Sequence, residues 1–123
     1  MKTSSKKGKG RRLQNFVRDS LLTAFSSLEE DDVKSAIMGE SGEDIKLSPA
    51  AKRKIRYSFE CKNVERLNIW QAIEQSDTNC EDRTPVVVFK RNRSKTYITL
   101  ELDKFIELIG ENNVKTVREV PEV

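Results

Sequence analysis

A chain of 123 residues is long enough for one domain with its own core and too short for two of ordinary size. It contains no histidine, which excludes serine and cysteine triads with an imidazole base, His-ligated zinc and histidine nucleases, and leaves hydrolytic chemistry to carboxylates, lysines and a hard, oxygen-seeking cation. A net charge of +3 with 36% hydrophobic and 35% charged residues fits a small soluble, cytoplasmic domain with disordered ends, since no apolar run approaches the roughly 18 residues that span a bilayer and no signal-peptide core follows the basic start.

Residues 1–9, "MKTSSKKGK", have the composition of a flexible basic arm. A helix is expected from Gly10 or Arg11, where Leu13, Phe16, Val17, Leu21, Ala24, Phe25 and Leu28 recur at helical spacing. The acidic run Glu29 to Asp32 ends it, "VKSAIMG" reads as a short strand, and "GESGED" as a glycine turn. Ile45 and Leu47 alternate with polar neighbours in a second strand, stopped by "SPAAKRK". The third strand is "IRYSFECKN", Ile55 to Asn63, followed by an amphipathic helix over "LNIWQAIEQ" and a polar loop, Thr78 to Thr84. "PVVVFK" is the run expected of a central strand covered on both faces, and "TYITLEL" pairs with it as a hairpin across Asn92 to Lys95. Asp103 is placed to cap a last helix, "KFIELI", ending at Gly110.

The expected fold is therefore α/β, a single mixed sheet flanked by helices in the order α-β-β-β-α-β-β-α. A folded domain over 10–110 lies between the arm and a C-terminal tail, 111–123. Cys61 and Cys80 lack Cys-x-x-Cys spacing and are read as reduced thiols.

Fourteen of the 23 basic residues fall in three clusters: Lys2, Lys6, Lys7, Lys9, Arg11 and Arg12; Lys52, Arg53, Lys54 and Arg56; Lys90, Arg91, Arg93 and Lys95. Such local potentials attract a polyanion, although charge runs are also simply solvated loops and tails.

The third strand raises the question of chemistry. Alternation puts Tyr57, Phe59 and Cys61 on one face and Arg56, Ser58, Glu60 and Lys62 on the other, a good buried row and a good wet one. Asp44, at the end of the preceding turn, changes the balance: if its strand pairs with "IRYSFECKN" as a hairpin, two carboxylates and one ammonium converge. Mg²⁺ is typically held by one or two protein carboxylates with waters and substrate phosphate, so Asp44 and Glu60 suffice, and the Cys61 carbonyl adds a further oxygen. Lys62 then orients or deprotonates an attacking water and offsets charge on phosphorus.

The segments "GEDIKLSP" and "FECKN" resemble the PD-(D/E)XK superfamily of restriction-endonuclease-like nucleases, with Asp44 as first acid and Glu60 and Lys62 as the Glu-x-Lys pair. From about Lys9 to Leu108 the chain is similar to small phage proteins related to archaeal-type Holliday junction resolvases. The resemblance implies a restriction-endonuclease-like fold, a Mg²⁺-dependent endodeoxyribonuclease in which Mn²⁺ can substitute, branched DNA as substrate in recombination, and a homodimer. Lys6, Lys7, Lys9, Arg11, Arg12, Lys52, Arg53, Lys54, Lys90, Arg91 and Arg93 would contact phosphates without reading bases.

Two positions depart from that pattern. Residue 43 is Glu where the superfamily name has Pro, and Gln14 stands where resolvases carry a first-helix glutamate. Gln75 matches a polar position near such sites, or is a solvent-facing glutamine. Gln14 keeps open a non-catalytic DNA- or protein-binding module, and nothing in the sequence separates a resolvase from a general repair or DNA-degrading nuclease.

Overall fold

The computed structural model of the protein describes residues 3–37 and 39–111. Helix α1 spans Thr3–Ala24, and a 3₁₀ turn at Glu30–Asp32 leads into β1, Val33–Ser35. Then come β2 (Ile45–Leu47), α2 (Pro49–Lys54), β3 (Tyr57–Asn63), α3 (Ile69–Asn79), β4 (Thr84–Lys90), β5 (Tyr97–Ile98) and α4 (Leu102–Ile109). The α/β class and the mixed sheet flanked by helices stand. Among the described residues no helix is long and apolar enough to cross a membrane.

The single sheet does not stand. Antiparallel β1 and β2 form a two-stranded ribbon, and β3, β4 and β5 a separate three-stranded sheet with β4 central. Within it β3 and β4 run parallel, joined through α3 as a parallel pair requires, and β5 returns antiparallel to β4. The hairpin expected between the Ile45 strand and β3 is also absent, because α2 intervenes. Ser48 builds that helix: its Oγ accepts from the Ala51 N–H at 3.1 Å and donates to Asp32 Oδ1 at 2.7 Å, while Pro49 occupies the first helical position.

One core joins the two sheets to α1. Leu13 and Val17 of α1 pack with Val33, Ile45, Leu47, Ile55, Phe59, Cys61, Val86 and Val88. Helix α1 begins at Thr3, well before the start expected at Gly10 or Arg11, so residues 3–9 belong to the helix. Lys9 explains the extension: its side chain is buried and reaches Glu65 at 3.8 Å, and its carbonyl accepts from Asn63 Nδ2 at 3.2 Å. These contacts tie the first turns of the helix to the end of β3. At its other end α1 stops at Ala24, short of Leu28.

Helix α3 covers the opposite face of β3 and β4 with small residues, Ala72 and Ser76, and the Ser76 hydroxyl donates to the Val86 carbonyl at 3.0 Å. Trp70, an apolar residue of the segment expected to form an amphipathic helix, is 74% exposed. Strand β5 is shorter than "TYITLEL", because Thr99 replaces ladder pairing with its own contacts to Val87, accepting the Val87 N–H on Oγ1 at 3.0 Å. The N-cap of α4 is accordingly Glu101 rather than Asp103, while Gly110 does end the helix. Apart from Glu111, the tail 111–123 lies outside the described residues. Cys61 and Cys80 are both free thiols.

Candidate active site

Strand β3 is an edge strand, and its outer edge is where the candidate residues gather. Gly42, at φ +92°, turns the chain in the left-handed region that glycine tolerates best. Two residues on, Asp44 is fixed by three hydrogen bonds. Its N–H donates to the Phe59 carbonyl of β3 at 3.2 Å, and its carbonyl accepts the N–H of Ala36, just past β1, at 2.8 Å. Its Oδ2 accepts the Cys61 N–H at 2.7 Å. Asp44 therefore links the ribbon to the three-stranded sheet and delivers its carboxylate to β3 without the expected hairpin.

Glutamate 60 and Lys62 project from the same strand, with Lys62 Nζ 3.4 Å from Glu60 Oε2. The face expected to be wet is so only at its ends: Arg56 is exposed and Lys62 half-buried, whereas Ser58 is 1% and Glu60 7% exposed. Burial raises the affinity of both carboxylates for protons. For Asp44 the Cys61 N–H, Lys62 and Lys46 oppose burial without cancelling it. For Glu60 burial and then the neighbouring Asp44 charge raise the pKa, against Lys62. The Cys61 thiol is pushed up by burial, then by the same two carboxylates. It is therefore a neutral thiol whose backbone, not its sulfur, faces the site.

These residues suit a hard cation on structural grounds. A residue in a strand directs its N–H and C=O to the same side, so the Cys61 carbonyl lies on the free edge with the N–H that holds Asp44. Two carboxylates and one carbonyl are oxygen ligands of the kind Mg²⁺ takes alongside waters. Gln14, on the α1 turn that packs over β3, is buried, and its Oε1 is without a donor among the described residues. A buried acceptor without a hydrogen carries a free-energy cost that a nearby cation or ordered water would relieve. No group of three or more Asp, Glu or Cys side chains is placed to hold a metal ion among the described residues. A cation here would thus rest on two. Gln75 is exposed, as its solvent-facing reading has it.

In the sequence Glu43 marks only the place of a missing proline. In the structure its carboxylate is buried against Arg83, with Nη1 to Oε1 at 2.8 Å and Nη2 to Oε2 at 2.5 Å. The Ser58 hydroxyl also donates to Glu43 Oε1 at 3.0 Å, and Arg83 Nη1 to the Tyr57 carbonyl at 3.2 Å. This bidentate pair anchors the turn immediately before Asp44 to the start of both β3 and β4. Arg83 was hidden in a stretch read as polar loop.

The basic clusters divide. Glu65 draws two of them together, pairing with Lys9 and accepting the Asn92 N–H at 2.7 Å. A cavity of about 270 Å³ between α1 and the β4–β5 turn is lined by Arg12, Phe16, Asn63, Lys90, Ser94 and Thr96. Arg12 is exposed at its wall, and Lys6, Lys7, Arg11, Arg91, Arg93 and Lys95 are exposed along α1 and the β4–β5 turn. This surface adjoins the end of β3 that carries Lys62. The middle cluster sits by the opposite end of β3, about 20 Å away along the strand. There Lys52 pairs with Glu81 at 2.9 Å and Arg56 with Asp82 at 3.0 Å, leaving Arg53 and Lys54 exposed. Lys9 is buried, and both Lys9 and Lys52 pair with carboxylates. No protein-family model, curated protein or solved structure matches the chain.

Proposed function

We propose that the protein is a metal-dependent endodeoxyribonuclease of the PD-(D/E)XK type, cutting branched DNA in the manner of a Holliday junction resolvase. The carrying observation is the Asp44 carboxylate, held by the Cys61 N–H at 2.7 Å on the free edge of β3, beside the Glu60–Lys62 pair. A first acid from one strand and a Glu-x-Lys on another, on a mixed sheet flanked by helices, is the arrangement that a restriction-endonuclease-like fold uses.

Asp44 and Glu60 would hold Mg²⁺, or Mn²⁺ in its place, with help from the Cys61 carbonyl. Such an ion supplies positive charge at the phosphoryl oxygens and acidifies water. Lys62, 30% exposed, reaches solvent where an attacking water would stand. It orients or deprotonates that water and offsets charge that grows on phosphorus as the bond to the leaving strand breaks. The exposed cations around Arg12 and Lys90 place the phosphate backbone without selecting sequence. Two strands cut at one junction call for two sites, hence a homodimer. The unburied apolar residues of α4, Leu102, Phe105, Leu108 and Ile109, are the kind of surface that subunits cover.

Gln14 favours a second reading, a DNA-binding module without catalysis, because a buried amide brings no charge to the site. Mg²⁺-dependent cleavage of a four-way junction against a linear duplex of the same sequence, with Asp44→Asn as control, separates the two. Cleavage abolished by Asp44→Asn is expected, and tight junction binding without cleavage in the parent protein would favour the module.

A further inference from the structure

The same sheet face that carries Lys62 continues across two more strands. Lys62 in β3 is the register partner of Phe89 in β4, and Phe89 is that of Tyr97 in β5. Residues opposed in this way share a face, so Lys62, Phe89 and Tyr97 form one row about 10 Å long, given strand spacings near 4.8 Å. The Phe89 and Tyr97 rings meet at 6.0 Å between centroids and 32° between planes. Phe89 is half-buried and holds the pair in place, whereas Tyr97 is 55% exposed on the edge strand.

The turn between these two aromatics carries Arg91, Arg93 and Lys95, all exposed. It is also held in shape. Ser94 Oγ accepts the Arg91 N–H at 3.0 Å and Glu65 accepts the Asn92 N–H at 2.7 Å. One row thus holds an ammonium beside two carboxylates and an aromatic pair, and the turn that joins the two aromatic strands adds three exposed cations. An aromatic ring bordered by cations takes a π-face whose attached chain is anionic, which describes a nucleobase and its phosphates.

Resting on the nuclease reading above, we infer that Tyr97, backed by Phe89, stacks an unpaired nucleobase beside the phosphate at Lys62. A base inside a duplex is already stacked on both sides and offers no face to a side chain. The row therefore selects DNA with an unstacked nucleotide next to the cut, as at a junction centre or the foot of a flap.

The test places 2-aminopurine at the unpaired nucleotide of a flap and measures emission and affinity with the Asp44→Asn protein, so that binding is read without cleavage. The expected result is quenching on binding that Tyr97→Phe keeps and Tyr97→Ala loses. Tyr97→Ala should also weaken flap binding about tenfold with duplex affinity unchanged. Tyr97 is exposed at a sheet edge, and circular dichroism confirms that the variant folds. Equal loss on flap and duplex, or no loss on either, would overturn the stacking site. Failure of the parent to cut any DNA with Mg²⁺, while Tyr97-dependent quenching persists, would overturn the nuclease reading and leave the nucleobase site standing.

Discussion

Arg83 and Glu43 form a bidentate ion pair, with Arg83 fully buried and Glu43 9% exposed by side chain, one residue before Asp44. Removing one partner strands the other charge away from water. Arg83→Met should therefore cost about 3–5 kcal/mol, seen as a lower urea midpoint. The double variant Glu43→Met, Arg83→Met should recover part of that loss, since no charge is left alone. If the pair also sets the turn, exchange of the Cys61 amide hydrogen, which Asp44 accepts, should quicken in Arg83→Met. A variant as stable as the parent would refute the burial of this pair.

The two candidate metal acids give the metal-free protein a pH signature. In the unfolded chain they titrate near 3.8 for Asp44 and 4.5 for Glu60, and burial lifts both in the fold. Between the unfolded and folded values the folded state holds more protons, so stability falls as pH rises through that window. Above it the unfavourable charge is fully present. Metal-free Glu60→Gln should accordingly melt higher than the parent at neutral pH, with the advantage shrinking as pH falls toward 4.5. Mg²⁺ should raise the melting temperature of the parent and leave Glu60→Gln nearly unmoved. A Glu60→Gln protein that melts lower than the parent at neutral pH would contradict the direction of the shift.

Lys62 separates a catalytic lysine from surface decoration. On a wet face Lys62→Ala would alter stability by no more than about 0.5 kcal/mol and spare turnover. Beside the scissile phosphate it should lower turnover at least about a hundredfold, at saturating Mg²⁺, with junction affinity little changed. Lys62→Arg keeps the charge and cannot lose a proton. Rescue by arginine would assign charge stabilisation, and loss in both variants a positional or proton-transfer role.

The division of the basic clusters predicts unequal salt effects. Arg12→Gln and Lys90→Gln should each reduce the slope of log affinity against log salt by about 0.9 if each meets one phosphate. Lys52→Gln, whose cation is engaged by Glu81 at 2.9 Å, should leave the slope unchanged. Equal slopes for all three would show that DNA does not favour the Glu65 end of the molecule.

The residues at the site were legible in the sequence where the chemistry is local. Period-two alternation located β3, and the Glu-x-Lys spacing put Glu60 and Lys62 on one face, as found. Asp44 was reached through a hairpin that does not exist, because Ser48 and Pro49 start a helix where a hairpin turn was expected, and hydrogen bonds to Phe59 and Cys61 bring it to β3 instead. The Glu43–Arg83 pair was invisible, since nothing in the chain links residues 40 positions apart until the fold brings them together. Likewise a helix start at Gly10 followed from apolar spacing alone. Lys9 extends α1 through contacts with Asn63 and Glu65, and these belong to tertiary structure.

The central claim is that Asp44 and Glu60 act through a cation on bound DNA. It is tested most directly by single-turnover cleavage of a four-way junction across a Mg²⁺ titration, run beside junction affinity for the parent, Asp44→Asn and Glu60→Gln. The account predicts Mg²⁺-dependent cleavage by the parent alone, with both variants inactive and binding the junction as tightly as the parent or slightly better, each having lost a negative charge that faces phosphate. Cleavage by folded Asp44→Asn or Glu60→Gln at the parent rate would contradict it.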